Sequence, residues 1–435
     1  MSLVAMVPEV FSPGGVLARA DERFQPRDGQ TQMAVAVAQT IAEGGALVVE
    51  AGTGVGKTYA YLVPALLSGE RVLLSTATKA LQDQLFARDL PRLAQMLGLP
   101  VRMALLKGRA SYLCLHRMQQ ARLDVQAQDR GVARVLANVE DWSRQTVSGD
   151  LAELTGLDER SPVIPLVTST RENCLGSSCP RFRECHVHRA RREALAADIV
   201  VINHHLFFAD VAVRESGMAE LLPTVRVVVF DEAHQINETG VQFLGTQMST
   251  GQWMDFARDL LIAGLQHARG LGDWAGLSQI LELSARDLRL VVGNAIFQGA
   301  NGVAAGARVR WTEEAPEGVS GAAWNAALRA LGSACAQSLE ALDTVSEISP
   351  DLERLYERGS ALLARLARFA GPCHADAVRW LDVGNQLRLI ESPLDIADAM
   401  RTRILTSPAE ISEGEAWPEE PAANVGRAWI FTSAT

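Results

Sequence analysis

Two separated segments carry residue types that can bind and hydrolyse a nucleoside triphosphate. The first occupies residues 51–58 and reads Ala-Gly-Thr-Gly-Val-Gly-Lys-Thr. Its glycines let the backbone wrap tightly, so that N–H groups and the following helix N-terminus point at phosphate oxygens. The lysine supplies positive charge to the β and γ phosphates, and the threonine hydroxyl can bind Mg²⁺. The segment predicts a phosphate-binding loop whose contacting residues are Gly52, Thr53, Gly54, Gly56, Lys57 and Thr58.

The second segment, residues 227–234, is an apolar run that ends in the paired carboxylates of Asp231 and Glu232. Asp231 stands where a strand end can present a second Mg²⁺-organising carboxylate, and Glu232 can polarise the attacking water as a general base. A lone Asp-Glu pair is weak evidence, but this pair follows a buried strand downstream of a phosphate-binding loop. Together with Lys57, the two carboxylates predict a catalytic site for ATP hydrolysis.

A glutamine upstream of the loop is a candidate for recognising the base. The side-chain amide of Gln30 can both donate to and accept from an adenine edge. The alternative is an ordinary surface glutamine, and the position of Gln30 before the loop favours adenine recognition.

Cysteines lie between the two nucleotide-binding segments, at Cys114, Cys174, Cys179 and Cys185. They can supply four thiolates to one centre. Structural zinc more often uses two tight Cys-x2-Cys pairs, whereas the looser spacing here fits wrapping around a larger iron–sulfur cubane. The spacing therefore favours an iron–sulfur cluster over zinc, and over no metal. Three histidines lie near enough to complicate the ligand assignment: His116, His186 and His188.

Length and composition indicate the number of domains and whether the protein is globular or enters a membrane. The 435 residues are too many for one ordinary domain, and 48% hydrophobic with 21% charged residues is typical of a soluble globular chain. No uniformly apolar run reaches the roughly 18 residues of a membrane span, and the N-terminus lacks a basic n-region. We therefore expect a cytoplasmic protein that does not enter a membrane.

The net charge of −10 argues against a protein that coats nucleic acid through bulk electrostatics. A local basic groove is compatible with that charge, because arginines outnumber acidic residues around the cysteines. An Arg-rich stretch is often only a solvated helix face, so DNA contact and solvation are about equally supported. The arginines are Arg171, Arg181, Arg183, Arg189, Arg191 and Arg192.

Several short, β-branched runs predict buried strands of one parallel sheet, because they are continuously apolar rather than alternating. The runs are Ala46–Glu50, Arg71–Ser75, Ile199–Asn203, Arg226–Asp231 and Ala428–Ser433. Helical patterns over Thr58–Leu67 and Lys79–Leu97 alternate with the first two runs. This alternation predicts a doubly wound α/β fold.

Residues 240–370 carry the amphipathic spacing of helices and no catalytic motif. We expect a mostly helical insertion there. Its predicted helices are Trp253–Leu265, Leu277–Val292, Ala323–Leu342 and Asp351–Phe369.

The order of the motifs resembles that of one helicase family. Ser-Thr-Ala-Thr-Lys-Ala-Leu-Gln occupies residues 75–82, Asn-His-His-Leu follows the cysteines at 203–206, and Ser-Ala-Thr occupies 433–435. With the loop and the Asp-Glu-Ala-His motif, this order is similar to that of the XPD-like iron–sulfur DNA helicases of superfamily two. Within that family it most resembles the bacterial DinG and YoaA branch, over essentially the whole chain.

The resemblance implies ATP-driven translocation on single-stranded DNA and 5′–3′ unwinding of forked or damaged DNA in repair or the damage response. It implies a four-iron four-sulfur cluster on the four cysteines. Thr76 and Lys79 would contact the DNA backbone. Ser433 and Thr435 would couple hydrolysis to strand movement, and His234 would join the ATP site to that coupling.

On this resemblance the fold is a RecA-like P-loop motor domain, a parallel sheet flanked by helices, with an inserted iron–sulfur domain and a mostly helical arch. The expected segments are motor domain 1–105, iron–sulfur domain 106–197, motor domain 198–240, helical arch 241–385 and motor domain 386–435.

Family members continue with a second motor domain that carries an arginine-rich motif, and no such run occurs in this sequence. Those arginines stabilise charge on the transferring phosphoryl group and can raise the rate by orders of magnitude. We therefore expect an N-terminal part of a helicase that by itself binds ATP weakly and hydrolyses it slowly. The alternative is an iron–sulfur DNA-binding module in which ATP binding is regulatory and drives no motor.

Overall fold

The computed structural model describes residues 2–122, 129–215, 222–298, 307–312, 314–394 and 426–434. These residues divide into two compact units, each with its own hydrophobic core. Unit 1 is built from the described residues within Met1–Gly108, Val187–Phe243 and Ala397–Thr435. Unit 2 is built from those within Arg109–His186 and Leu244–Ile396.

Strands and helices are numbered here in chain order. The strands are β1 (Gly45–Glu50), β2 (Val72–Thr76), β3 (Met103–Leu105), β4 (Ile199–Asn203), β5 (Val227–Phe230), β6 (Thr246–Ser249), β7 (Ala307–Trp311), β8 (Ala377–Val383), β9 (Leu387–Pro393) and β10 (Ala428–Ser433). The helices are α1 (Leu3–Phe11), α2 (Val16–Ala20), α3 (Asp28–Glu43), α4 (Lys57–Leu67), α5 (Lys79–Gln84), α6 (Leu90–Leu97), α7 (Leu115–Ala121), α8 (Arg130–Ser143), α9 (Ile164–Val167), α10 (His186–Ala196), α11 (His204–Glu215), α12 (Ile236–Leu244), α13 (Thr250–His267), α14 (Trp274–Gln298), α15 (Gly321–Asp343) and α16 (Pro350–Ala370).

Unit 1 is organised around a parallel sheet with the strand order β1-β10-β5-β2-β4-β3. Every neighbouring pair in this sheet is parallel. The carboxyl ends of its strands therefore lie along one edge, which is where open α/β sheets bind ligands. Strands β2 and β5 are buried at every residue, as expected for a sheet covered on both faces.

Alternate residues of these strands pack into two different layers. Val227 and Val229 of β5 belong to a core shared with α1, α3, α4 and α6. Phe230 lies in an aromatic layer, with Phe207 of α11 edge-on at 4.8 Å and Phe431 of β10 stacked at 5.1 Å. The two layers hold the carboxyl ends of β5 and β10 side by side, which positions the residues that follow them.

One stretch of the described chain, Leu3–Ala20, is long and apolar enough to cross a membrane by length and composition alone. Here it forms the two short helices α1 and α2, and Val7, Phe11 and Leu17 are buried in the core of unit 1. Core helices of soluble proteins pass the same test, so the stretch is weak evidence for a membrane span.

Unit 2 combines long helices with an antiparallel sheet of the order β6-β9-β8-β7. Helices α13 to α16 and this sheet share one core, in which Trp253, Trp274 and Trp324 are fully buried. A smaller cluster around Leu113 and Val139 joins α7, α8 and α9. Cys114 directly follows Leu113 of that smaller cluster.

The predicted strands of the parallel sheet are confirmed as β1, β2, β4, β5 and β10. The helix predicted over Lys79–Leu97 is interrupted by a π-helical turn, Leu85–Asp89. Strand β3 and the antiparallel sheet of unit 2 were not predicted. The strands of that sheet are four to seven residues long and partly exposed. The pair β6–β9 joins residues about 140 positions apart. No local sequence pattern therefore predicts these strands. The expected domain boundary at residue 385 falls inside the β8–β9 hairpin.

Candidate nucleotide-binding site and cysteine centre

The phosphate-binding loop links β1 to α4 in unit 1. Strand β1 ends at Glu50 and α4 begins at Lys57, so the helix N-terminus closes the loop. Gly54 and Gly56 have φ angles of +86° and +87°, a left-handed conformation that glycine adopts without strain. The Nζ atom of Lys57 donates to the carbonyl of Ala51 at 3.1 Å. The lysine ammonium is therefore folded back over the loop backbone, where phosphate oxygens bind in such loops.

Gln30 contacts the loop directly. It is 5% exposed on α3, and its Nε2 donates to the carbonyl of Gly56 at 2.9 Å. A Cβ atom at Gly56 would lie 2.2 Å from that Nε2 atom, so this approach requires glycine. Gln30 is thus a buried brace on the loop. Its contact with adenine stays a prediction.

Asp231 follows β5 directly. Its N–H donates to the carbonyl of Ser75 at 2.8 Å, and its Oδ1 accepts from Oγ1 of Thr432 at 3.1 Å. Burial, and then the neighbouring carboxylate of Glu232, raise the pKa of Asp231. A bound cation would offset both effects, so this carboxylate is suited to Mg²⁺.

The residues after Asp231 form a strained turn that reaches β10. Glu232 has φ of 55°, and it is the one non-glycine residue of the described chain with a positive φ. Such backbone conformations cost about 1 kcal/mol or more and cluster at functional sites. His234 Nδ1 lies 3.4 Å from Oε2 of Glu232 and 3.1 Å from Oγ of Ser433. The carboxylate motif and the Ser-Ala-Thr motif are therefore in contact, while Thr435 lies outside the described residues.

Thr76 and Lys79 occupy the turn between β2 and α5. Thr76 is buried, and its hydroxyl donates to the carbonyl of Thr78 at 3.2 Å. Thr78 in turn caps α5 by accepting from the N–H of Leu81 at 3.2 Å. Lys79 is the first residue of α5 and is exposed. Of the two predicted DNA contacts, Lys79 is thus the one that faces solvent.

A buried histidine follows β4 beside the carboxylate motif. His204 is fully buried, and its Nδ1 lies 2.7 Å from Oγ of Ser75. Burial lowers the pKa of His204 to about 4, against the opposing effect of main-chain groups of Asp231 and Glu232. The imidazole is therefore neutral at pH 7.

The four cysteines lie in unit 2, half-buried and free of disulfides. Cys114 directly precedes α7, and its N–H donates to the carbonyl of Val167 at 2.7 Å. Short 3-10 turns, Gly176–Ser178 and Phe182–Glu184, separate the other three cysteines. Nη1 of Arg109 donates to Sγ of Cys174 at 2.8 Å.

Four cysteine thiols are the donor set that an iron–sulfur cluster requires. Burial raises the pKa of Cys114 to about 11, and Cys174, Cys179 and Cys185 raise it as well, so the thiols act on one another. Thiolates in such a group need a cationic centre to coexist. In the described ranges, His, Cys, Asp and Glu side chains form no group of three or more that could hold one metal ion. A cubane spreads its thiolate ligands over separate irons, so it does not require that tighter grouping.

The arginines predicted around the cysteines differ in their surroundings. Arg181 pairs with Glu184 at 2.7 Å, and Arg189 pairs with Glu193 at 3.7 Å. Burial lowers the pKa of Arg171, and the nearby guanidinium groups of Arg354 and Arg109 lower it further. Some of these arginines therefore form ordinary ion pairs with a glutamate three or four residues away. Arg171 instead lies near other arginines of unit 2.

A buried ion network holds α7 against the long helices of unit 2. Asp259 of α13 accepts from Nη1 of Arg117 and Nη1 of Arg358, both at 2.7 Å, and all three side chains are buried. Burial alone would raise the pKa of Asp259, but the two guanidinium groups outweigh it and hold the pKa below its ordinary value. Nearby, Oε1 of Glu172 accepts from Nη2 of Arg365 at 2.8 Å.

Sequence reasoning assigned no role to several residues that contact these sites. Ser75 and His204 stand inside the quoted motifs, but nothing in their spacing indicates that they meet. Thr432 could have been found, because it is the hydroxyl residue next to the Ser-Ala-Thr motif. Arg109 gives a weaker signal, an isolated arginine five positions before Cys114.

Comparison with known proteins identifies relatives for these sites. The profile of a family described as DEAD/DEAH box helicase matches residues 31–140. The ATP-dependent DNA helicase YoaA of Haemophilus influenzae is 38% identical over 437 residues, which cover 99% of this chain and 62% of that protein. The same-named helicase of Escherichia coli is 47% identical over 292 residues, covering 66% of this chain and 45% of that protein.

A third relative is the ATP-dependent helicase DinG of Mycobacterium tuberculosis, 44% identical over 237 residues, covering 48% of this chain and 34% of that protein. The chain thus spans less than two thirds of each of these relatives. The phosphate-binding loop, residues 51–58, lies within the residues 31–140 that match the helicase family. Residues 31–140 match a DEAD/DEAH box helicase domain, and the chain is a homologue of the YoaA and DinG helicases.

Proposed function

We propose that this chain supplies the ATP-binding motor lobe of an ATP-dependent DNA helicase or translocase that acts on single-stranded DNA. The observation that carries the proposal is the placement of the loop and the carboxylate turn at the carboxyl edge of one parallel sheet. The names of the relatives, ATP-dependent DNA helicases, support the same activity.

In this proposal, different residues of unit 1 bind the phosphates, hold Mg²⁺ and activate the attacking water. Lys57 exchanges the Ala51 carbonyl for phosphate oxygens, and Thr58 and Asp231 hold the Mg²⁺ that accompanies ATP. Glu232 orients and deprotonates the attacking water as general base. Positioning and charge stabilisation are the main requirements of phosphoryl transfer, so a rigid loop beside a fixed carboxylate turn is well suited to it.

Movement of DNA requires a link from the hydrolysis site to the rest of the motor. His234 contacts both Glu232 and Ser433, so a change at the general base reaches β10 through one side chain. Thr435 completes this motif in the proposal. Lys79, exposed at the start of α5, would contact the DNA backbone.

For unit 2 we propose a four-iron four-sulfur cluster held by Cys114, Cys174, Cys179 and Cys185. Support comes from the spacing of the cysteines, their mutual effect on the pKa of Cys114, and the arginine donor to Cys174. When bound, such a cluster crosslinks the turns that carry its ligands and needs no redox role. The segment around it would contribute to the path of the DNA, because positive charge is concentrated near Arg171.

The finer features of the proposal come from the resemblance to the XPD-like family. They are 5′–3′ polarity, action on forked or damaged DNA, and a role in DNA repair. A cytoplasmic location is proposed from the composition of the chain. The helical part of unit 2 corresponds to the arch in this proposal.

Nucleotide binding is the direct test of the ATP site. We expect Lys57→Ala to weaken binding of Mg·ATP roughly 30- to 100-fold, because a charge-assisted contact contributes about 2–3 kcal/mol. The measurement is a titration of the 435-residue chain with a fluorescent ATP analogue. Arg102→Ala is the matched control, since it removes an exposed cation of unit 1 that pairs with Asp198. Equal affinities in wild type and Lys57→Ala would contradict the proposed ATP site.

Metal content tests the cluster. We expect protein purified without oxygen to contain iron and labile sulfide in near-equal amounts, and Cys179→Ser to lose most of both, because one of the ligands is gone. Cys373→Ser is the control, since Cys373 is exposed and lies outside the ligand set. Zinc alone, bound even under iron-replete anaerobic expression, would contradict the cluster.

A further inference from the structure

A buried contact joins β2 to the carboxylate turn without using any side chain of the predicted ATP site. His204 begins α11 and is fully buried, with its Nδ1 2.7 Å from the equally buried hydroxyl of Ser75. Strand β2 lies between β4, which leads into His204, and β5, which leads into Asp231. The carbonyl of Ser75 also accepts from the N–H of Asp231 at 2.8 Å. Ser75 therefore contacts both the histidine and the turn.

The second nitrogen of the ring, Nε2 of His204, is buried and has no hydrogen-bond partner among the residues that the structure describes. The ring nevertheless lies beside the end of β5, with its centroid 5.7 Å from that of Phe230, the residue before Asp231. Hydrogen bonding to the main chain of Asp231 and Glu232 opposes the lowering of its pKa, as acceptors would. A buried ring nitrogen without a hydrogen-bond partner is unfavourable. A small shift of the turn would therefore be stabilised by a new hydrogen bond between Nε2 of His204 and a main-chain carbonyl of the turn.

The turn itself is in a conformation that favours such a shift. Glu232 has a left-handed backbone with φ of 55° and ψ of 47°. Strained backbone of this kind persists at sites that change conformation during function. A movement of the carbonyl groups of Asp231 and Glu232 relative to β5 would alter this strain and the distance to His204 together.

We propose, on the basis of the proposed function, that His204 is a positioning residue for the ATP site. When the Asp231 carboxylate engages the Mg²⁺ of bound ATP, a main-chain carbonyl of the turn accepts the Nε2–H of His204 and the turn is fixed in its active position. In this proposal the Ser75 hydroxyl donates to Nδ1, which leaves the ring proton on Nε2. His204 touches neither the nucleotide nor the metal.

Two substitutions of His204 distinguish the roles of the two ring nitrogens. An asparagine amide reaches about as far as Nδ1, so His204→Asn can keep the Ser75 contact and loses the bond to the turn. A glutamine amide reaches about as far as Nε2, so His204→Gln keeps a donor for the turn. A purely structural role for a buried ring would make both changes equally harmful.

The experiment measures ATP affinity of the full chain with Mg²⁺ and with EDTA, and takes the ratio of the two dissociation constants. We expect His204→Asn to lower this Mg²⁺-dependent gain about five- to tenfold and His204→Gln to stay within about twofold of wild type. Affinity in EDTA is expected to be unchanged in both. His205→Gln, at the neighbouring position with its ring against Phe243, is the control and is expected to match wild type.

Each outcome bears on a defined claim. An unchanged Mg²⁺-dependent gain in His204→Asn, or equal losses in the two variants, overturns the positioning role. If the asparagine variant does not fold, Ser75→Ala decides, with an expected loss of about threefold in the Mg²⁺-dependent gain only. A wild-type chain without any Mg²⁺-dependent ATP binding contradicts the proposed function, and that failure is visible before any variant is compared.

Discussion

The two units hold their functional groups by different means. In unit 1, Asp231 follows a strand that is hydrogen-bonded to neighbours on both sides, so its position is set by backbone geometry. In unit 2, three of the four cysteines lie beside 3-10 turns, and α7 is fixed by the ion network of Asp259. The proposed ATP site is therefore preorganised by the sheet, whereas the cysteine centre depends on side-chain charges and on the cluster we propose.

The largest expected effect comes from a substitution that breaks the charge network of unit 2. Asp259→Asn removes the charge that compensates two buried guanidinium groups, so we expect unit 2 to lose about 3–5 kcal/mol of stability. Urea unfolding followed by tryptophan fluorescence measures it, because Trp253, Trp274 and Trp324 lie in that core.

Asp382→Asn is the matched control, since its partner Arg308 is 71% exposed and the contact is 3.2 Å long. An exposed pair of this kind contributes less than about 1 kcal/mol. Equal losses in the two variants would show that the buried network does not hold unit 2 together.

Acid is expected to destabilise the two units in different pH windows. The pKa of His204 is about 4 in the native chain, against about 6.5 when unfolded. The unfolded chain therefore binds a proton between these values and the native chain does not, so unit 1 loses up to about 3 kcal/mol as pH falls from about 6.5 to about 4. The lowered pKa of Asp259 gives a contribution to unit 2 that is lost only as pH falls below about 4.

Pulse proteolysis in urea at a series of pH values measures both windows, with cleavage sites assigned to each unit by mass spectrometry. His204→Gln keeps Asp231 and removes the titrating imidazole, so its unit 1 is expected to lose less stability across that interval. The idea fails if unit 1 of the wild-type chain is as stable at pH 4.5 as at pH 7.

The smallest expected effect concerns the contact between the two motifs of unit 1. Ser433→Ala removes a partly exposed hydrogen bond to His234, so we expect a loss of no more than about 1 kcal/mol of stability. ATP affinity is expected to stay within about twofold of wild type, because neither group belongs to the phosphate-binding loop. Thermal unfolding and ATP titration measure the two quantities. A loss of ATP affinity as large as that of Lys57→Ala would contradict the separation of binding from coupling.

The same contrast explains how much the sequence could predict. The strands of the parallel sheet are continuous apolar runs, so β2 and β5 were found within two residues of their ends. The glycine spacing before Lys57 likewise specified the loop. The network of Asp259 could not be found, because Arg117 and Arg358 are distant in sequence and each resembles an ordinary helix-surface residue. The meeting of Ser75 with His204 depends on the strand order, in which β2 and β4 are neighbours although their paired residues, such as Val72 and Ile199, are far apart in the chain.

The antiparallel sheet of unit 2 was missed for a related reason. The segments that flank its strands have strong helical periodicity, and β7 and β8 show only short alternation of half-buried residues. Such strands acquire their burial from the core of α13 to α16, which no local pattern reveals.

The central claim is that nucleotide bound at the loop of unit 1 changes how the chain holds DNA. Fluorescence anisotropy with a short labelled single-stranded oligonucleotide tests it most directly, without nucleotide, with Mg·ADP, and with Mg²⁺ and a non-hydrolysable ATP analogue. We expect DNA affinity to differ about fivefold or more between nucleotide states in the wild-type chain and not at all in Lys57→Ala. If the wild-type chain binds the nucleotide but its DNA affinity is the same in every nucleotide state, the motor function is contradicted. The chain would then be a DNA-binding module.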